Sequence, residues 1–313
     1  MTIRSNLWRA AVAGGLAVAL AASAGLAREL SWRFDEAYGE RGRGRNELRE
    51  PVDVAVTAGG EIVALDRERE ALVWFSRTGR WEKTLGGSRG TGEVRLDRPR
   101  RLGLGPDGRL WVVDTGNHRL VVVDEEGVEA FVLGSLGSAD GRFRHPADVT
   151  FDERGRLYVA DTGNERVQVF RPDGGFLASW DRRTGGRRDH LEKPAAVAYT
   201  PEGRGGIWVL NEGWRRLERF DLDGDWEETL DLSAWLPKDA RIVDLAVDPV
   251  FYRMFLSDEG SGRIWVLNRR GERVAEIGDD VGAFRPAGSF LERNWDLYVA
   301  DRAGARIVKF ERE

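Results

Sequence analysis

The chain reads as an all-β protein, a six-bladed β-propeller built from four-stranded blades, and three observations predict this. One cassette recurs six times, with starts near residues 51, 99, 146, 194, 242 and 286. Within each copy, apolar residues alternate with polar ones in short runs bounded by Gly, Asp, Pro or Asn, the mark of strands and turns. The last copy supplies three strands, and a matching fourth lies at the other terminus. Repeats of about 45 residues with four strands each indicate propeller blades.

The third copy shows the strand pattern most clearly, with runs at Asp148–Phe151, Leu157–Ala160, Arg166–Phe170 and Phe176–Trp180. No stretch keeps a helical period, which excludes a helical solenoid. A β-sandwich uses similar strands but does not repeat one cassette six times. The segment Leu30–Gly39 (LSWRFDEAYG) has the pattern of Trp81–Gly86 (WEKTLG). It is expected to pair beside the C-terminal strand, so that residues 28–39 complete the last blade. Closing the ring in this way removes an exposed sheet edge. Residues 28–313 then form one propeller.

Residues 1–27 read as an export signal. Arg4 and Arg9 precede an uncharged run from Ala10 to Ala27, and Gly25 and Ala27 suit a small-residue cleavage site. A retained anchor is the competing reading, but Ala and Gly make the run weakly hydrophobic. The expected location is periplasmic or extracellular, with no membrane insertion after cleavage.

Composition narrows the function. The 313 residues include no cysteine, which excludes disulfide scaffolds, thiolate metal sites and cysteine nucleophiles. The formal charge is −5, against the basic balance expected of a nucleic-acid binder. No phosphate loop is present. No haem-attachment motif occurs either.

The cassette carries a recognisable motif. Asp114–Val123 reads DTGNHRLVVV and Asp161–Phe170 reads DTGNERVQVF, each after a Pro-led strand and a Gly-Arg-Leu turn. This resembles the NHL repeat, and weaker copies cover the rest of residues 28–313. The resemblance implies a six-bladed propeller and spans both binders and enzymes. Its relatives include sensor domains of bacterial kinases, RNA-binding proteins and a lyase that cleaves peptidyl-hydroxyglycine, with lactonases among broader six-bladed relatives.

Aspartate at the end of the second strand and arginine five residues later recur as Asp114/Arg119, Asp161/Arg166, Asp258/Arg263 and Asp301/Arg306. A feature repeated in so many blades is expected to brace the hairpin rather than bind a ligand.

Departures from the repeat are more informative. The third cassette position reads Asp53, Arg101, Asp148, Ala196, Asp244 and Gly288, so carboxylates alternate around the ring. Turned inward, Asp53, Asp148 and Asp244 make a candidate site for a hard cation such as Ca²⁺. The alternative, which is preferred, has each Asp bonding local backbone while Arg101 neutralises the ring. His118, His145 and His190 fall in loops expected on one face. The lyase relatives hold zinc with several channel histidines, and only His145 is placed to match such a role.

The six inter-blade loops on that face carry a net charge of +4, whereas residues 28–313 together carry −7. Arg41–Arg45, and Arg182, Arg183, Arg187 and Arg188, form the basic stretches. Trp214 and Trp235 lie in loops beside them. Arg182, Arg183, Arg187, Arg188, Trp214, His118 and His145 are the candidate ligand contacts, because loops on rigid scaffolds carry function. The expectation is a non-catalytic exported propeller that docks a protein or an anionic envelope polymer on this face. The alternative is a lyase or lactonase using a divalent cation at the channel.

Overall fold

The computed structural model describes residues 31–87, 94–124, 126–181, 191–211, 215–292 and 294–313. The segment 1–27, the arginines at 182, 183, 187 and 188, Trp214 and His190 lie outside the described residues.

Six four-stranded antiparallel sheets form the ring. Their inner strands are Pro51–Val56, Arg101–Leu104, Asp148–Phe151, Pro194–Thr200, Ile242–Val247 and Pro286–Leu291, in blades 1 to 6. Each inner strand packs beside the next, and the sixth meets the first. Blade 6 is closed by Trp32–Tyr38, which pairs antiparallel with Arg306–Arg312 in the order predicted from the termini.

The hydrophobic core is distributed between blades. Six clusters of buried side chains occupy the six blade interfaces; Trp74 packs between blades 1 and 2, Trp180 between blades 3 and 4, and Phe255 between blades 5 and 6. Period-two strands explain this, since each sheet must present one apolar face to each neighbour. Tyr38 joins the cluster between blades 6 and 1, so the N-terminal strand contributes to the core as well as the edge.

The repeated hairpin residues work as braces. Asp114 Oδ2 accepts from Arg119 Nε at 2.9 Å, and Asp161 Oδ2 accepts from Arg166 Nε at 2.8 Å. Asp301 holds Arg306 in the same way, at 2.9 Å. Blade 5 departs from the pattern: Asp258 accepts from Ser261 and Trp265, while Arg263 pairs with Glu276 and Asp279. A second bond explains why the aspartate recurs. Its other oxygen, or the amide oxygen of Asn211, accepts a backbone N–H from the loop that leads into the same blade. The donors are Asp97, Arg144, Glu192, Arg241 and Arg285 in blades 2 to 6. In blade 1, Arg49 and Glu50 donate to Asp66.

The rest of the motif ties blades together. Thr115 and Thr162 donate to the carbonyls of Pro146 and Pro194, the lead residues of the next blade, both at 2.7 Å. Gly163 lets the hairpin approach its lead-in loop, since a Cβ there would lie 2.5 Å from the Arg144 carbonyl oxygen.

Candidate functional site: an arginine-lined well at the channel mouth

The inner strands bring the third cassette positions together on the ring axis. Asp53, Asp148, Asp244 and Arg101 are all nearly inaccessible, at 4 to 6% exposure. Asp53 accepts from the N–H of Val54 at 2.9 Å and from the N–H of Leu102 in blade 2 at 2.7 Å. Asp148 repeats this one pair further on, accepting from Val149 at 2.7 Å and from Val197 of blade 4 at 2.8 Å. Asp244 accepts from Ser289 Oγ of blade 6 at 2.7 Å. The alternating carboxylates therefore join blades 1 to 2, 3 to 4 and 5 to 6.

Arg101 crosses the channel. Its Nε lies 3.3 Å from Asp244 Oδ1, and its terminal nitrogens donate to the carbonyls of Val243, Arg100 and Val52. A guanidinium thus stands among the three carboxylates, where the sequence suggested a cation. Burial pushes Asp53 well above the usual carboxylate range and Asp148 up to about 7, opposed in both cases by the charge of Arg101. Among the described residues, no three His, Asp or Glu side chains form a group that could hold a metal ion. Asp53, Asp148 and Asp244 therefore do not fit Ca²⁺: their oxygens are engaged by backbone, Ser289 and Arg101. The preferred reading, backbone bonding with Arg101 balancing the ring, matches the geometry at Asp53 and Asp148, whereas Asp244 bonds Ser289 and Arg101 instead.

Arg101 also divides the channel. On the inter-blade loop side is a well of about 840 Å³ whose lining includes Arg67, Arg98, Arg100, Arg101, Arg215, Arg241 and Arg302, with Glu259 the acidic residue among them. On the far side is a smaller cavity of about 260 Å³, with Asp53, Asp148 and Asp244 at its wall. Arg101 borders both cavities.

The well's arginines are held in place. Glu259, with its side chain 2% exposed, takes Arg241 at 3.1 Å and Arg285 at 2.8 Å, and also Arg302. Glu50 links Arg302 to Arg67. Arg215 donates to the carbonyls of Leu236, Pro237 and Lys238. Arg98 pairs with Asp97 at 3.2 Å, and Arg98 and Arg241 still keep 66% and 65% of their side chains exposed. Such a surplus of fixed guanidinium forks over carboxylates favours oxyanions.

The six lining arginines other than Arg101 were not singled out from sequence. A signal existed one residue after the second-strand aspartate: Thr115 and Thr162 in the strongest copies become Arg67, Glu259 and Arg302 in blades 1, 5 and 6.

His118 and His145 do meet, with ring centroids 4.4 Å apart, and His118 Nδ1 accepts from the His145 backbone N–H at 3.0 Å. Both adopt positive φ, 56° and 49°. Desolvation, aided by His145, Arg98 and Arg144, holds His118 below its usual pKa. Neither histidine lines the well. His118 and His145 are the pair that meets among the described residues, and His190 lies outside them. Of the other loop features, Arg41 donates to the Ala303 carbonyl at 2.8 Å, and Trp235 packs edge-on against Trp265 at 5.9 Å.

Residues 96–123 and 143–170 match the NHL repeat family. Solved propellers share the overall fold. The virginiamycin B lyase of Staphylococcus aureus is 12% identical, with a TM-score of 0.61 over 90% of this chain and 88% of that one. A gluconolactonase of Xanthomonas campestris is 13% identical, with a TM-score of 0.64 over 91% of this chain and all of that one (100%). The hydrazine synthase of Kuenenia stuttgartiensis is 14% identical, with a TM-score of 0.62 over 87% of this chain and 98% of that one. At such identities the likeness is one of fold, and fold alone leaves function open. Comparison with curated proteins gives no match. Repeat motif, blade count and ring closure agree: the chain is a six-bladed β-propeller that carries NHL repeats.

Proposed function

We propose that this propeller is a non-catalytic, exported binding module that docks an anionic polymer of the cell envelope on its inter-blade loop face. The observation that carries the reading is the arginine-lined well at the centre of that face. Seven guanidiniums around one cavity create a positive field within a chain whose net charge is −5. A local field of this kind concentrates and orients anions. The channel supports an enzymatic reading less well, because the carboxylates that would serve a cation are engaged with backbone, Ser289 and Arg101.

The reading is tested by measuring association with polygalacturonate and long-chain polyphosphate, with neutral dextran as the control. Binding to an anionic chain that weakens steeply between low and physiological salt is expected. Absence of salt-sensitive binding to both chains, or equal binding to dextran, overturns the reading.

A further inference from the structure

The well has a floor, and this constrains how a ligand can enter it. Arg101 spans from blade 2 to the Val243 carbonyl and Asp244 of blade 5, with its side chain only 6% exposed. That contact separates the well from the smaller cavity on the far side. A polymer therefore cannot thread the ring. The walls are built for more than one negative group. Arg98, in the lead-in to blade 2, and Arg241, in the lead-in to blade 5, both line the well, from two blades that the Arg101–Asp244 contact joins across the axis. Glu259 fixes Arg241 and Arg302 on the second wall, and its side chain is 2% exposed. A cavity of about 840 Å³ is the size of a small-molecule site.

We infer that the well receives its ligand end-on and recognises a compact terminal group bearing two or more oxyanions, gripped between Arg98 on one wall and Arg241 on the other. The inference rests on the proposed anion-binding role and specifies its mode. A free small polyanion and the charged terminus of a chain share this chemistry. Guanidinium forks match both carboxylate and phosphate oxygens, often in pairs of bonds.

Three measurements test it on the intact protein. Calorimetric titration with tripolyphosphate and with citrate should give one site, at least about tenfold tighter than acetate. Arg98→Ser and Arg241→Ser should each weaken that site by about tenfold or more. Arg154→Ser, on a far-side hairpin, should leave it unchanged. Finally, polyphosphate chains of increasing length should bind a fixed number of proteins per chain end, and tripolyphosphate should displace them. That arm separates a terminus from a free anion: binding of the compact anion with no binding of chains assigns the well to a small molecule and overturns the polymer reading alone. Stoichiometry that grows with chain length, or chain binding indifferent to tripolyphosphate, overturns the end-on mode and leaves the polymer reading standing. Failure of every anion overturns both.

Discussion

Arg101 Nε and Asp244 Oδ1 meet at 3.3 Å across the ring axis, joining an inner strand of blade 2 to one of blade 5. Both side chains are almost completely buried, so the pair lies in a medium where an uncompensated charge is costly. The same guanidinium balances Asp53 and Asp148 and closes the well from below. One residue thus sets the electrostatics of the channel and the depth of the candidate site.

Arg101→Met should therefore destabilise the propeller by about 3–5 kcal/mol at neutral pH, because it breaks the buried pair with Asp244 and removes the cation that faces Asp53 and Asp148. Asp244→Asn should cost less, since Asp53 and Asp148 still face Arg101. Urea denaturation of the two variants checks the order. Equal losses would mean that Arg101 serves Asp244 alone.

The ring was legible in the sequence because a propeller repeats its constraints. Each blade needs the same alternation, the same turn residues and the same aspartate to hold its lead-in loop, so the copies of Asp114 and Asp161 announce one another. The matching termini disclosed the closure of blade 6. The candidate site was less legible, because it is made where the copies differ. Arg101 was readable as a counter-charge, but its reach to blade 5 depends on ring curvature that no single cassette encodes. Arg67, Arg98, Arg241 and Arg302 converge only after six blades are placed around an axis. Arginine is also abundant throughout this chain, which hides the few that converge.

Removing Ser31–Gly39 should destabilise the protein severely. The deletion strips the outer strand from blade 6, along with Trp32 and Tyr38, which are 7% and 2% exposed. Loss of such large buried side chains costs about 1.5–3 kcal/mol each, before the ladder bonds are counted. It also leaves Arg306–Arg312 as an open edge. Thermal melting and light scattering should show a much lower transition temperature and self-association. A soluble monomer with the original transition would refute closure by this strand.

Gly288→Ala tests how closely the sixth blade approaches the first. A Cβ at residue 288 would lie 2.0 Å from Asp53 Oδ1 and 2.8 Å from the Val52 carbonyl oxygen. The Asp53 carboxylate is held by Val54 and Leu102 and cannot retreat without losing those bonds. The expected cost is about 1–3 kcal/mol by chemical denaturation, typical of overpacking. Partial rescue by Asp53→Gly in the same chain would tie the loss to this contact; no rescue would place it elsewhere.

The channel carboxylates should also give stability an inverted pH dependence. Burial raises Asp148 from the usual 3.8 to about 7, and Asp53 moves in the same direction. Between those values the folded chain holds a proton that the unfolded chain has released, so this contribution falls as pH rises from about 4 to about 7. Other groups act oppositely. His118 is held below its usual value of 6.5, so its contribution is lost as pH falls below that point. Glu50 is lowered by its arginine partners and loses its contribution only in acid, below its usual 4.5. The informative quantity is therefore the stability difference between the wild type and Asp148→Asn, measured by urea denaturation from pH 5 to 8. Asparagine keeps one acceptor for the Val149 and Val197 amides but has no carboxyl to titrate. Its deficit should be largest at pH 5 and shrink toward pH 8, as the wild type loses the benefit of the bound proton. A deficit that stayed constant across the range would show that Asp148 remains ionised throughout, with Arg101 outweighing burial.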